Sequence, residues 1–201
     1  KQHEQDVDVW VGKRFPLTIR RLGVNGHGIG YYKHKVCFVP GALPNEVVVA
    51  EVTRVLPRYL EAKIHRIRKK SRDRVTPRDE YADIAGGFEL ENLAYQQQLK
   101  FKRQVIIDSL EKFQPYGYRN YDVRPTIAAP EEYGYRNKAQ FQIRMVNGKV
   151  AAGLYQPNSH TLVDMETCAV QMPRTMETVR AVTKMIEDLQ IPVYDEKHNS
   201  G

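Results

Sequence analysis

The chain has 201 residues and a mass of 23.3 kDa, and 41% of its residues are apolar, enough for one large domain or two small ones with a real core. Its 31 Lys and Arg outnumber 24 Asp and Glu, giving a net charge of +7 and a pI near 9.3. A mean hydropathy of −0.57, with no long apolar run, argues against a membrane span. Lys1-Gln2-His3-Glu4-Gln5-Asp6 offers no apolar signal-peptide core. Two cysteines, Cys37 and Cys168, are too few for a disulfide framework and point to a reducing cytoplasm.

The charge is unevenly spread. Val9 to Arg78 hold 16 Lys and Arg against 4 Asp and Glu, a net +12, while the remainder holds 15 against 20, a net −5. A strongly basic module beside a mildly acidic one points to a polyanion, RNA or DNA, as the partner of the first. A basic domain adapted only for solubility is the plainer alternative.

In chain order, Phe15, Leu17 and Ile19 alternate with Pro16, Thr18 and Arg20, the period of a half-buried strand. A glycine-rich turn, Gly23 to Gly30, leads to a β-like Tyr31–Val39, and Pro40-Gly41-Ala42-Leu43-Pro44-Asn45 follows as a connector. Glu46–Val52 and Tyr59–Arg68 read as further strands, so the module is expected to close as a small β-barrel over residues 9–76. Residues 77–201 form the second expected domain. There, Glu89–Phe113 is expected to be a helix with Leu99, Ile106, Leu110 and Phe113 near one face, stopped by Gln114-Pro115-Tyr116-Gly117. Phe141, Ile143 and Met145, then Asn147-Gly148, then Val150–Tyr155, spell a hairpin with a type I′ turn. Pro173 opens a helix to Gln190, with Met176, Val179, Val182, Ile186 and Leu189 repeating along it.

Gly26-His27-Gly28-Ile29-Gly30 superficially invites a nucleotide-binding reading. A phosphate loop needs a helix after it, and here a strand follows, so tight barrel turning is the better use of these glycines. No H-E-x-x-H, C-x-x-C or G-x-S-x-G occurs, Glu131 and Glu132 are merely adjacent, and His27, His34 and Cys37 lack ligand spacing. No catalytic residue and no metal site is expected. The aromatics and cations of the barrel, Tyr31, Tyr32, Lys33, His34, Lys35 and Phe38 with Arg20, Arg21, Arg54, Arg58 and Tyr59, do suit RNA: rings stack on unpaired bases while cations neutralise phosphates.

These residues carry a resemblance. Leu17-Thr18-Ile19-Arg20-Arg21-Leu22-Gly23, Gly26-His27-Gly28-Ile29-Gly30, Val36 to Glu46 and Ser71 to Pro77 resemble a TRAM domain, an OB-like RNA-binding barrel. Gly86-Gly87, Leu93 to Lys102, Tyr135-Arg136-Asn137-Lys138-Ala139-Gln140-Phe141, Gly153 to His160, Val163-Asp164 and Cys168-Ala169-Val170 resemble the central domain of TRAM-bearing 23S ribosomal RNA uridine-C5 methyltransferases. The fold implied is α+β: an OB-like antiparallel barrel, then an α/β central domain with a hairpin and two helices. Many family members carry an iron–sulfur motif, C-x5-C-G-G-C with a fourth Cys downstream. Aligned on Gly86-Gly87, its three positions read Asp79, Ala85 and Phe88 here, and only Cys168 matches. The chain thus resembles the cluster-lacking, Gram-positive type, and no iron–sulfur cluster is expected.

By that resemblance the parent enzyme makes 5-methyluridine. A Cys thiolate attacks C6, S-adenosylmethionine methylates C5, and a base removes the C5 proton. The resemblance puts that machinery, with its S-adenosylmethionine site, in a C-terminal methyltransferase domain outside this chain, which is expected to be inactive alone. The partners implied are 23S ribosomal RNA and that domain. Arg20, Arg21, Lys33, Lys35, Arg58 and Arg66 are the candidate phosphate contacts, with Tyr31 and Tyr59 as stacking faces. In the second module Arg136, Lys138 and Arg144 are candidates, a buried structural ion pair being the alternative for the first two. Two other readings stay open: a freestanding RNA-binding or ribosome-associated module, and a second module that binds protein.

Overall fold

The computed structural model describes residues 8–201, so the stretch read for a signal peptide lies outside the described residues. The chain forms two compact units, one made of the chain up to Thr76 together with Asn92–Ile127, the other of Pro77–Glu91 and Ala128–Gly201.

The first unit is built on a closed five-stranded barrel in the order β1-β2-β3-β5-β4. Its strands are β1 (Arg14–Leu22), β2 (Gly28–Tyr32), β3 (Lys35–Val39), β4 (Val47–Val55) and β5 (Tyr59–Lys69). Alternation drives closure. Phe15, Leu17 and Ile19 of β1 meet Cys37, Val48, Ala50 and Leu60 in the core, each such large side chain contributing about 1.5–3 kcal/mol by burial. The pairings are antiparallel except the seam between β3 and β5, where Val36, Cys37 and Phe38 run parallel to Tyr59, Leu60 and Glu61.

The β-like stretch Tyr31–Val39 is two strands, not one. It breaks at Lys33, whose φ of 55° starts a tight turn and folds β3 back on β2. Gly30 is in a strand rather than at a corner. A Cβ there would lie 2.7 Å from both the Thr18 carbonyl oxygen and Leu17 Cγ, so only glycine lets β1 and β2 approach.

Helix α1 (Tyr95–Phe113) starts six residues later than its apolar pattern predicts. Residues 92–94 are used elsewhere: the Val75 amide donates to the Asn92 carbonyl, the Ala94 amide donates to the Asp73 carbonyl, and Leu93 bridges Arg74. That pairing holds Ala94 extended, with ψ of 134°. The helix ends at Gln114 in the left-handed region, whose amide closes on the Leu110 carbonyl. Its expected apolar face is not covered: no α1 residue is fully buried, and Ile106 and Phe113 are exposed.

The second unit holds a three-stranded sheet, β6 (Gln142–Val146), β7 (Lys149–Tyr155) and β8 (Leu162–Asp164), and helix α2 (Pro173–Asp188). Asn147 and Gly148, at φ 50° and 79°, make the type I′ turn of the β6–β7 hairpin. Pro173 opens α2 as expected. The buried positions of α2 are Met176 and Thr183, while Val182 and Leu189 of the expected stripe are exposed. Arg180 sets that rotation: its guanidinium donates to the Ala152 carbonyl at 2.9 Å and to Asp164 at 3.2 Å.

Candidate nucleic-acid interface

The β2–β3 hairpin and the start of β5 bring five candidate residues together. Tyr31 pairs with Val36, and Val36 pairs across the parallel seam with Tyr59, so the two tyrosines share one outer row of the barrel. Lys33 sits at the hairpin tip, its ammonium 5.8 Å from the Tyr32 ring. Arg58 precedes Tyr59 and is exposed, and Lys35 donates to the Leu56 carbonyl at 3.4 Å. Tyr59 is half-buried, its ring edge-on to Phe38 at 5.4 Å. Aromatic faces and cations thus alternate at one end of the barrel.

The remaining barrel candidates stand apart from this group. Arg20 falls at a register shift in β1 and, with Arg21, lines an open groove whose other wall is Phe101, Gln104 and Phe113 of α1. Arg66 pairs with Val49 on the β4–β5 side. On β4, Glu51 neutralises part of the surface, bonding Lys63 at 3.1 Å and Arg14 at 2.6 Å, and those contacts, Lys63 first, hold its carboxyl below the usual range.

Under the barrel, Glu46 is fully buried. Burial alone would raise its pKa, but Arg74 at 2.7 Å and the amides of Leu43 and Ser71 outweigh that and lower it. Sequence patterning missed this clasp, although Glu46 and Arg74 both lie in the stretches that resemble a TRAM domain.

In the second unit Arg136 and Lys138 are both exposed, which removes the buried ion pair as their explanation. Arg136 folds back to donate to the Lys138 carbonyl at 3.1 Å, and its backbone pairs with Val170 and Met172. Arg144 is half-buried, its guanidinium 5.7 Å from the Tyr155 ring and 5.2 Å from the Tyr194 ring. Tyr155 stacks in turn on His160 at 5.5 Å. Tyr194 and the joining of these four groups were not legible in the sequence.

The positions of the missing iron–sulfur motif converge. Ala85 and Cys168 share a core with Val163, Met165 and Met176, and Phe88 packs against it. Asp79 is buried and accepts from the Ala169 and Tyr81 amides at 2.8 and 3.0 Å, tying segments far apart in sequence. One thiolate among apolar neighbours does not fit a cluster that needs about four. Burial first, then Asp79, pushes the Cys168 thiol up, and burial pushes Cys37 to about 12. Glu91, which accepts from the Asp79 amide at 3.0 Å, is also raised, first by burial and further by the Asp79 carboxylate. Among the described residues no helix is long and apolar enough to cross a membrane.

Comparison with known proteins fits this geometry. Residues 8–65 match the TRAM domain family, and the barrel is a TRAM domain. The chain is 66% identical over 191 residues to a Lactiplantibacillus plantarum protein named an uncharacterized RNA methyltransferase, covering 95% of this chain and 40% of that one. An Enterococcus faecalis protein of the same name is 46% identical, over 94% of this chain and 42% of its own length. The chain therefore spans about 40% of the length of these curated relatives. A solved structure of Pyrococcus abyssi tRNA (uracil-54, C5)-methyltransferase with S-adenosyl-L-homocysteine shares the fold at TM-score 0.59 and 23% identity, over 92% of this chain and 40% of that one.

Proposed function

We propose that this chain is the RNA-binding portion of an S-adenosylmethionine-dependent methyltransferase that converts a uridine of 23S ribosomal RNA to 5-methyluridine in the cytoplasm. The observation that carries the reading is the concentration of Tyr31, Lys33, Lys35, Arg58 and Tyr59 at one end of a TRAM barrel in a module of net charge +12. Phosphate neutralisation supplies affinity, and ring faces take unpaired bases. An enzyme acting at C5 of a pyrimidine must draw the base out of its stack, so a surface that holds the flanking strand belongs to the same task. S-adenosylmethionine supplies the methyl group. No residue of this chain is assigned to hold it, and the chemistry belongs to a methyltransferase domain that this chain serves as the RNA-handling partner.

Binding of this chain to fragments of 23S ribosomal RNA, titrated against salt, is the test. Affinity should fall steeply and linearly on a log–log plot as salt rises, with a slope of roughly −0.7 to −0.9 per phosphate neutralised. Affinity insensitive to salt refutes phosphate neutralisation. Incubation with S-adenosylmethionine and the same RNA should give no methyl transfer by this chain alone. A longer protein carrying this sequence should transfer methyl groups to uridine C5, whereas binding without transfer by any such protein would favour a freestanding RNA-binding module.

A further inference from the structure

We propose that the exposed face of His160, at the end of a stack with Tyr155 and Arg144, is a binding site for one unpaired nucleobase of single-stranded RNA. This rests on the RNA-handling reading above, and it assigns to the second unit a site for a base rather than for a phosphate.

The sheet register builds the stack. Arg144 pairs with Ala151, and Gln142 pairs with Gly153, so Arg144, Ala151, Gly153 and Tyr155 alternate onto one face of the β6–β7 hairpin. Leu154 and Val163 take the opposite parity and serve the Cys168 core. On that face the Arg144 guanidinium reaches the Tyr155 ring, at 5.7 Å, with Tyr194 at 5.2 Å.

The loop after β7 then fixes His160. Its ends are tied by the Gln156 amide donating to the Thr161 carbonyl at 3.0 Å, and the Thr161 amide donates to the Ser159 hydroxyl at 2.8 Å. Asn158 takes the left-handed conformation the turn demands, at φ 55°. The imidazole is thereby held nearly parallel to Tyr155, with 16° between the planes.

Two features point to a base as the ligand. The His160 side chain is 73% exposed, so its stacking hides little surface from water and leaves a ring face open. Its Nδ1 lies 2.7 Å from Glu196, and Asp195 is bonded to His198 beside it. The Glu196 carboxylate disfavours a phosphate beside the His160 ring but not the face of an uncharged heterocycle. Any base has such a face, so the site is tolerant of sequence.

The test compares a single-stranded oligouridine with a strand of equal length carrying abasic riboses, each bound to the whole chain. The wild type should prefer the base-bearing strand. His160→Ala should weaken oligouridine binding by about 5- to 160-fold and leave the abasic strand unchanged, because each stacked base carries that much affinity. His160→Phe should restore the preference, since it keeps the flat face. A preference for the base-bearing strand that His160→Ala leaves as large as in the wild type overturns the site while leaving the RNA-handling reading, with its stacking faces Tyr31 and Tyr59, intact. A wild type that binds neither strand and no ribosomal RNA fragment overturns both.

Discussion

Glu46 and Arg74 meet side-on inside the first unit, Nε to Oε1 at 2.7 Å and Nη2 to Oε2 at 2.8 Å, with the carboxylate wholly buried. Arg74 also donates to the Gly41 carbonyl at 2.6 Å, so one side chain ties the chain leaving the barrel to the loop before β4. Arg74→Ala would strand a buried carboxylate and should destabilise the unit by about 3–5 kcal/mol in urea unfolding. A loss below about 1 kcal/mol would show the clasp to be dispensable.

The same clasp sets the acid limb of stability. The folded pKa of Glu46 lies below its unfolded value of about 4.3, so its contribution is complete above that value and is lost as pH falls through the folded pKa. Glu46→Gln should therefore be less stable than wild type at pH 7, with the gap narrowing below about pH 4.5. Melting temperatures of both proteins from pH 7 down to pH 3 measure this, and parallel curves would contradict it.

Glu91 runs the other way. Its folded pKa is raised by burial and by the Asp79 carboxylate, so the ionised side chain opposes folding at neutral pH, and stability rises as pH falls through the folded value. Its Oε1 accepts from the Asp79 amide, an acceptor that Glu91→Gln keeps. That variant should melt higher than wild type at pH 7, and the difference should shrink as the wild-type carboxyl takes up its proton. A lower melting temperature for the variant at pH 7 would refute the assignment.

Cys37 and Cys168 are both buried and free, and both thiols are held above their ordinary pKa, Cys37 at about 12. Since the thiolate is the reactive form, neither should react with a disulfide reagent at pH 8 in the folded protein. Both should react at once in denaturant. Rapid labelling of the native protein would mean that one of the cores opens on that timescale.

Local chemistry explains which features were legible in the sequence. The Phe15-Leu17-Ile19 alternation and the Asn147-Gly148 turn act within a few residues, and both elements form where the pattern puts them. The late start of α1 depends on residues 92–94 pairing with 73–75, a tertiary demand that overrides helical periodicity. The break at Lys33 lies between residues with no turn signature, and the parallel β3–β5 seam is non-local. The candidate interface divides in the same way. Composition names the cations, but only the seam sets Tyr31 and Tyr59 in one row, and only sheet register lays Arg144 against Tyr155.

That row makes the RNA reading testable residue by residue. Lys33 and Arg58 are exposed beside Tyr31 and Tyr59 and, among the described residues, lack acidic partners such as Glu51 provides for Arg14 and Lys63. If they neutralise phosphates, Lys33→Ala and Arg58→Ala should each weaken binding to all RNA sequences alike and lower the magnitude of the salt slope by about 0.7 to 1. Tyr31→Ala should instead leave the salt slope unchanged and remove about 1–3 kcal/mol of affinity, the worth of one stacked base. Lys63→Ala, whose charge Glu51 already offsets, is the control and should change neither quantity. A Lys63 variant that lowers the slope as much as the Arg58 variant would mean that the barrel binds through its total charge rather than through this end.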